Sequence, residues 1–395
     1  MTAPSSATRP AASVHGWVAH LRAGGTTPWL EWTDPGAGDE PAGRALPGAQ
    51  QLELLRRINL ARGSGAPARD LGSVARLADR VLAAPAAGRG KADLPLIGAG
   101  AAGFGARPVD PASVDAHELL RVASTLLADD LVALGPDPVR RGVPRPWRRR
   151  FRLVGDPVVA TAAREHLLGR GRPEGGPRPF VVAVGGPLDD LLAHTWTQRC
   201  FEHGSRPWGD WLRFWRERDQ LPARADLDDS VRRWDGRRPF VRIVTDLDHL
   251  PEHLGVRRLP PVRVPGADQA ELARRISAVV GIRVPVAERP ALMRTLQSRI
   301  PDSGVAPVVV PAAEHEWVAT SAARMTRRLS RAGYPVVGDL ADLAPRYAAD
   351  RPGPSRPAGQ AGVEAQQVLD LAIRMIVDPG WRAGRERSRE RRVER

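Results

Sequence analysis

The chain has 395 residues, 42% of them hydrophobic and 26% charged, a balance typical of a globular protein with one large or two medium domains. Its 59 basic residues are 58 arginines and one lysine, Lys91, which excludes most enzymes that need a lysine at a defined position, such as Schiff-base enzymes and protein kinases. The net charge of +14 carries less meaning, because arginine-rich coding is typical of GC-rich genomes and 45 acidic residues are interspersed with the basic ones.

The N-terminal third of the sequence has the spacing of amphipathic helices. Residues 1–13 are small, polar and proline-containing, so we predict that they are disordered. From residue 14 to residue 145, apolar residues recur at intervals of three and four, which predicts a helical N-terminal region broken by glycine- and proline-rich loops. The predicted helices cover residues 14–21, 51–58, 71–82 and 111–134.

Residues 146–347 follow a proline- and arginine-rich joint and alternate between short apolar strands and helices. The predicted strands are 151–154, 180–184, 240–245 and 334–338, and residues 305–310 are predicted as a strand or an extended segment. The predicted helices cover 158–168, 188–203, 208–216, 227–234, 268–300 and 314–332. Strands separated by helices of ten or more residues are typical of a parallel sheet flanked by helices, so we predict an α/β domain.

The C-terminal part is predicted to be a linker at residues 348–362, then a helix and a basic tail within residues 363–395. The tail, residues 382–395, holds seven arginines and three glutamates. Arginine and glutamate three residues apart favour a solvated, partly helical end, and contact with nucleic acid or a membrane surface is the alternative.

Localisation is predicted from what the sequence lacks. It has no apolar stretch of about 18 residues, and its first residues do not have the charged-then-apolar order of a signal peptide. The lone cysteine, Cys200, cannot form an internal disulfide. We therefore predict a cytoplasmic protein without a membrane span.

Two glycine-rich strings match nucleotide-binding loops only in part. Residues 98–103 satisfy G-x-G-x-x-G, yet Pro95 interrupts the run before them and Pro108 prevents an immediate helix, so we interpret them as a flexible loop. Lys91 is followed by Ala92 where a Walker loop needs serine or threonine, so we reject that interpretation.

Residues 246–253 contain two candidate metal sites. His249 and His253 fit H-x-x-E-H, but Pro251 lies inside the turn that would join them and instead predicts a helix that begins there. Asp246 and Asp248 follow a predicted strand and have the pattern of a divalent-metal site for a nucleotide diphosphate. Helix capping is the favoured interpretation of this pair.

Trp208, Trp211 and Trp215 fall on one face of a predicted helix. Such a stripe is usually part of the core, and an aromatic platform for a ligand is the alternative.

Two strand-to-helix turns of the predicted sheet carry short strings of glycine and proline. The strand 151–154 leads into Gly-Asp-Pro-Val-Val-Ala-Thr-Ala at residues 155–162, and the strand 180–184 leads into Gly-Gly-Pro at residues 185–187. With the order of the elements and family-like strings at residues 192–211 and 314–340, these turns resemble the sulfotransferase family, and in particular the actinobacterial sulfotransferase-like proteins. The resemblance covers residues 150–347 and implies a P-loop-like parallel sheet.

The resemblance also implies a donor, 3′-phosphoadenosine 5′-phosphosulfate, held by two loops. In the family a loop G-x-P-K-[ST]-G-T-[TS] binds the 5′-phosphate, and Gly155, Pro157 and Thr161 match it while Val158 replaces the lysine. A second element, R-[DN]-P, holds the 3′-phosphate, but only its proline survives here, after Gly185 and Gly186. Asp156 adds a negative charge beside the phosphate position.

Three functional hypotheses follow. The first is a divergent sulfotransferase-like protein, non-catalytic or repurposed, in which Gly155, Pro157, Thr161, Gly185 and Gly186 form the remnant of the donor site. In that protein, the glycine amides could still approach an anion, and charge could come from elsewhere, at Arg164, Arg170 or Arg178. The second is a transferase that uses Asp246 and Asp248 with a nucleotide-activated sulfate or sugar. The third is an arginine-rich scaffold or nucleic-acid-binding protein that acts through its tail.

Overall fold

The structure is a computed structural model. It describes residues 14–32, 48–63, 71–88, 90, 94, 96–97, 107–138, 142–176, 178–234, 236, 240–347, 363–378 and 380–381. The predicted disordered segment 1–13, the linker 348–362, the basic tail 382–395, Lys91 and the glycines of residues 98–103 lie outside these ranges.

Helices and short parallel strands make up the described part of the chain. The α-helices are α1 (Val14–Arg22), α2 (Ala49–Arg62), α3 (Leu71–Ala83), α4 (Ala116–Leu134), α5 (Pro157–Gly169), α6 (Leu188–Cys200), α7 (Trp208–Arg216), α8 (Leu227–Arg232), α9 (Leu250–His253), α10 (Ala267–Arg283), α11 (Arg289–Arg299), α12 (His315–Ala332) and α13 (Ala365–Val377). The strands are β1 (Phe151–Gly155), β2 (Phe180–Val184), β3 (Val241–Val244) and β4 (Val336–Val337). None of the described helices combines the length and the apolar character needed to cross a bilayer.

The described residues group into two compact units by their contacts. The first unit draws on residues 1–135, 275–301 and 364–395, and the second on residues 136–274 and 302–363. The domain limits predicted from the sequence stay predictions, because a grouping by contacts does not test which segments fold alone.

The first unit is helical and is centred on α4. Asp115 caps this helix by accepting a hydrogen bond from the Glu118 amide at 3.1 Å, which explains why it begins at residue 116 and not at residue 111 as predicted. Helix α13 packs against α4 and α2, and α11 also packs against α4. Asn59, the single asparagine of the chain, joins α2 to the end of α1 by donating to the carbonyls of Leu21 and Gly25 at 2.9 and 2.8 Å.

The second unit contains a four-stranded sheet in the order β1-β2-β3-β4, with every neighbouring pair parallel. Leu153 is paired with Val182, and Ala183 with Ile243, so the predicted α/β architecture with a parallel sheet is confirmed. All five residues of β2 are buried, as expected for a strand covered on both faces. The strand order shows no reversal among the described strands, and such a reversal is where doubly wound sheets bind their ligands.

Residues 305–310 were predicted as a strand or an extended segment, and the structure assigns them to no strand, which leaves the second alternative. Residues 305–310 run as irregular chain because their backbone groups bond elsewhere. The Ala306 carbonyl accepts from the Ala267 amide at the start of α10 at 3.0 Å, and the Val309 carbonyl accepts from the Trp208 indole at 2.8 Å. A segment bonded to a helix end and a side chain has no ladder partner left to make it a strand.

Candidate functional site

The turn from β1 into α5 is held tightly against β2. Gly155 has a φ of +88°, a conformation that favours glycine, and a Cβ atom at this position would overlap the carbonyl oxygen of Val184. The Asp156 amide donates to the same carbonyl at 2.9 Å. The turn is therefore fixed by backbone contacts, and it places Asp156 at the N-terminus of α5.

Asp156 occupies the position where a phosphate would meet the helix. One of its carboxylate oxygens accepts from the amides of Val158 and Val159 at 2.9 and 3.1 Å. The other lies 2.7 Å from Nδ1 of His194 on α6, and the Asp156 side chain is only 7% exposed. The first-turn amides of α5 and its positive dipole end thus already hold an anion that belongs to the chain.

The second predicted loop, after β2, is also closed at Gly185. Its amide donates to the Val244 carbonyl at 2.8 Å, and a Cβ atom here would lie 3.1–3.2 Å from the side chains of Leu227, Thr245 and Leu343. Gly186 borders open space, with no atom within 4 Å of its Cβ position. The two glycines are adjacent in sequence, but only Gly186 faces room for a ligand.

The open space of the predicted site is a cleft of about 360 Å³, which is lined by residues of β1, α5 and the chain around α8. Gly155, Pro157 and Thr161 line it, and Gly185 and Gly186 do not. Four arginines and one acidic residue also line the cleft: Arg152, Arg164, Arg224, Arg233 and Glu202. Strand β1 is an edge strand whose residues alternate, so Phe151 and Leu153 are buried while Arg152 is exposed.

The arginines of the cleft differ in their partners. Arg164 bonds to Glu174 at 2.8 Å, Arg224 to Glu202 at 2.9 Å, and Arg233 to Asp229 at 3.0 Å. Arg152 makes no ion pair with a carboxylate in the described ranges, and its guanidinium lies 5.6 Å from the ring centroid of Trp234. Within the described ranges, Arg152 and Trp234 therefore present a cation and an aromatic ring to the cleft, and no carboxylate occupies that cation.

Neither loop fits the donor that the family resemblance implies. A bisphosphorylated nucleotide needs charged donors at both loops, yet Val158 and Gly185 replace the lysine and the arginine, and the Asp156 carboxylate lies between the amides and any phosphate. Comparisons with protein-family models, curated proteins and solved structures find no match to this chain.

Asp246 caps a turn. Its carboxylate accepts from the Asp248 amide at 3.0 Å and lies 2.9 Å from Nδ1 of His249. The hydrogen bond from His249, followed by that from the Asp248 amide, holds the pKa of Asp246 below its usual value. Helix α9 is one turn long and begins at Leu250, so His249 and His253 do not lie together inside a helix. No group of three or more potential metal ligands occurs in the described part of the chain.

The tryptophan stripe of α7 lies largely in the core. Trp208 and Trp211 are buried and stack at 5.6 Å, and Trp196 lies 5.5 Å from Trp208. The Trp208 and Trp196 indoles donate to backbone carbonyls at 2.8 and 2.9 Å. Trp208 and Trp211 therefore support packing, whereas Trp215, the third member of the predicted stripe, is half-buried and packs edge-on against Trp211.

Four residues that line the cleft were not predicted as site residues from the sequence: Arg152, Arg224, Arg233 and Trp234. Arg152 carried a signal, because it is the one charged residue between two buried positions of an edge strand. The contact between Asp156 and His194 joins residues 38 positions apart, so no local pattern in the sequence predicts it.

Proposed function

We propose that the second unit is a sulfotransferase-like domain that has lost donor binding and instead binds a small anion in the arginine-lined cleft, without transferring a group. The observation that supports this most directly is the Asp156 carboxylate at the first turn of α5. In a donor site the phosphate occupies that position, whereas here it is filled by the chain itself.

The energetics favour loss of the donor. Two like charges 4 Å apart repel by about 4 kcal/mol at an effective dielectric constant of 20, so a phosphate beside Asp156 is strongly opposed. Each missing charge-assisted hydrogen bond removes about 1.5–3 kcal/mol more. Since Val158 and Gly185 supply no charged donors, this repulsion has no compensation within the two loops.

The cleft has the properties that a small anion needs. Its volume of about 360 Å³ lies within the usual range of small-molecule sites. The side chains of the Arg233–Asp229 pair are 66% and 49% exposed, so this pair contributes little stability and can exchange its partner for a ligand. Arg152, which has no described carboxylate partner, supplies the remaining charge, and the Trp234 ring supplies a flat apolar surface beside it.

Calorimetry with two probes tests the proposal. We expect inorganic pyrophosphate to bind the wild-type chain, and adenosine 3′,5′-bisphosphate to bind no more tightly than pyrophosphate. Arg152→Gln is expected to weaken pyrophosphate binding by about 10-fold, the value of one charge-assisted hydrogen bond. The matched control is Arg213→Gln, which removes the exposed arginine paired with Asp210 outside the cleft.

Four results would contradict the proposal. Sub-micromolar binding of 3′-phosphoadenosine 5′-phosphosulfate, or transfer of its sulfate to an acceptor, would show that the donor site is intact. Absence of pyrophosphate binding, or equal losses in the Arg152 and Arg213 variants, would remove the cleft as an anion site.

A further inference from the structure

A second group of arginines lies at the opposite end of α5 from Asp156. Four of them line a cavity of about 50 Å³ together with Leu167, Gly255 and Val256. We call these four the arginine cluster: Arg145, Arg148, Arg170 and Arg172. No carboxylate lines this cavity, and no ion pair joins the cluster to an acidic residue within the described ranges.

The segment that carries Arg145 and Arg148 is fixed against the end of α5. The Arg145 amide donates to the Gly171 carbonyl at 2.8 Å, and the Gly142 amide donates to the Leu168 carbonyl at 3.1 Å. Gly171 has a φ of +72°, and a Cβ atom there would overlap the carbonyl oxygen of Val143. The two chain segments therefore approach so closely that the spacing of the arginines is set by backbone contacts.

Arg172 sits at the base of the cavity and is held by neutral groups. Its guanidinium donates to the Leu254 carbonyl and, at 3.2 Å, to the Arg149 carbonyl, and it lies 5.6 Å from the Phe151 ring centroid. Partial burial, followed by the neighbouring charges of Arg148 and Arg149, lowers the pKa of Arg172. Carbonyl groups satisfy its hydrogen bonds but leave its charge uncompensated.

An exposed tryptophan lies between two members of the cluster in the chain. Trp147 is 76% exposed, although tryptophan is among the side chains that gain most from burial. It follows Arg145 and Pro146 and precedes Arg148, Arg149 and Arg150, all of which have exposed side chains. An accessible indole within a row of arginines is the arrangement by which proteins bind single-stranded nucleic acid, since bases stack on the ring and arginines contact the phosphates.

We propose that the arginine cluster and Trp147 bind single-stranded nucleic acid, with a backbone phosphate at the cavity and a base stacked on the indole. Stabilisation of the C-terminus of α5 is a weaker explanation for the cluster, because that end carries only about half an elementary negative charge and the cluster carries four positive ones. Four cations without an acidic neighbour repel one another, and a polyanion relieves that repulsion.

The test uses the full chain, a fluorescein-labelled 15-nucleotide oligothymidylate and fluorescence anisotropy between 50 and 200 mM salt. For single strands, log K is expected to fall with log salt by about 0.7 for each phosphate neutralised, so four arginines give a slope of about −3. Replacing Arg145, Arg148 and Arg170 together by Gln is expected to reduce that slope by about 2. Trp147→Ala is expected to weaken binding about 10-fold at every salt concentration with the slope unchanged, and Trp147→Phe to recover part of the loss.

The matched control replaces Arg213, Arg263 and Arg346 by Gln, which removes the same charge from exposed ion pairs elsewhere on the unit. We expect it to bind nearly as the wild type does, and we expect a chain without residues 382–395 to keep its dependence on Trp147. All the replaced side chains are exposed, so circular dichroism should show folded variants.

The proposal would be overturned by an absence of binding at 50 mM salt, or by equal effects of the cluster and control variants. It would also be overturned if the Trp147 change left binding intact, or if deleting residues 382–395 alone abolished binding. Vesicles containing phosphatidylserine serve as the rival anionic surface, and a dependence on Trp147 seen with vesicles but not with the oligonucleotide would also exclude it.

Discussion

At the scale of single residues, the second unit depends most visibly on Gly155. We expect Gly155→Ala to lower the free energy of unfolding by more than about 2 kcal/mol, because the added methyl group meets the Val184 carbonyl and the positive φ is strained. Gly186→Ala is the matched control, since nothing lies within 4 Å of its Cβ position. Chemical denaturation measures both, and equal effects would contradict this description of the turn.

Asp156 stabilises α5, and its carboxylate takes the amides that a phosphate would use. Asp156→Ala is expected to cost about 1–2 kcal/mol of stability, because the first-turn amides of α5 lose their acceptor. Asp156→Asn keeps an acceptor oxygen and should cost less. Asn also removes the negative charge, so this variant should bind adenosine 3′,5′-bisphosphate more tightly than the wild type does. Calorimetry that showed no gain would mean that Asp156 is not what excludes the nucleotide.

At the scale of elements, most helices and strands could be predicted, because the hydrophobic period is a local property. Strand β2 was located residue for residue by its uninterrupted apolar run, and α7 by its tryptophans at spacings of three and four. The sequence left a strand and an extended segment open at residues 305–310, and the choice between them has a non-local cause, since the Val309 carbonyl accepts from the Trp208 indole. Backbone partners that lie a hundred positions away leave no mark on a local pattern.

The candidate site could be predicted only in part, for the same physical reason. Gly155, Pro157 and Thr161 do line the cleft, because they share one turn. The amide of Gly185 was predicted to approach an anion. In the structure it donates instead to the Val244 carbonyl, which extends the pairing of β2 with β3 by one hydrogen bond. The charges of the cleft come from β1, α5, the end of α6 and the loops on either side of α8, and only the fold brings these together.

Helix α8 provides a prediction of pH dependence. Asp226 caps this helix by accepting from the Asp229 amide at 3.1 Å, and burial, followed by the charges of Asp228 and Asp229, raises its pKa. A carboxyl whose pKa is higher in the folded state stabilises the fold below its unfolded pKa of about 3.8 and loses that contribution as pH rises through the folded value. Ionised Asp226 therefore destabilises the fold at neutral pH.

Asp226→Asn keeps the cap and removes the ionisation. We expect it to raise the free energy of unfolding at pH 7 by about 1 kcal/mol, the size of a typical stabilising change. This gain should shrink as pH falls through the raised folded pKa of Asp226 and reach its minimum below the unfolded pKa of about 3.8. Asp226→Ala, which loses the cap, should be less stable than Asp226→Asn at both pH values. Denaturation of the three proteins at several pH values measures this, and a gain independent of pH would contradict the assigned cause.

At the scale of the whole molecule, the first unit is assembled from segments far apart in the chain. Helix α13 buries an apolar face against α4 and α2, and Leu371 on that face is fully buried. Leu371→Ala is expected to destabilise the first unit by about 2–5 kcal/mol. Hydrogen exchange should show faster exchange in α4, with β2 of the second unit unchanged.

Arg374→Ala, an exposed change on the same helix, is the control for Leu371→Ala and should leave exchange in α4 near the wild-type rate. Faster exchange spread equally over both units would contradict the division of the chain into two contact groups.

The distribution of the first unit along the chain affects synthesis. A ribosome delivers residues in order, so the apolar face of α4 emerges early and waits for more than two hundred further residues before its partner α13 is made. The sheet of the second unit is complete sooner. During translation, the apolar face of α4 that α13 covers therefore stays exposed until residues 365–377 are made, and a chain truncated before residue 365 keeps that surface in contact with water.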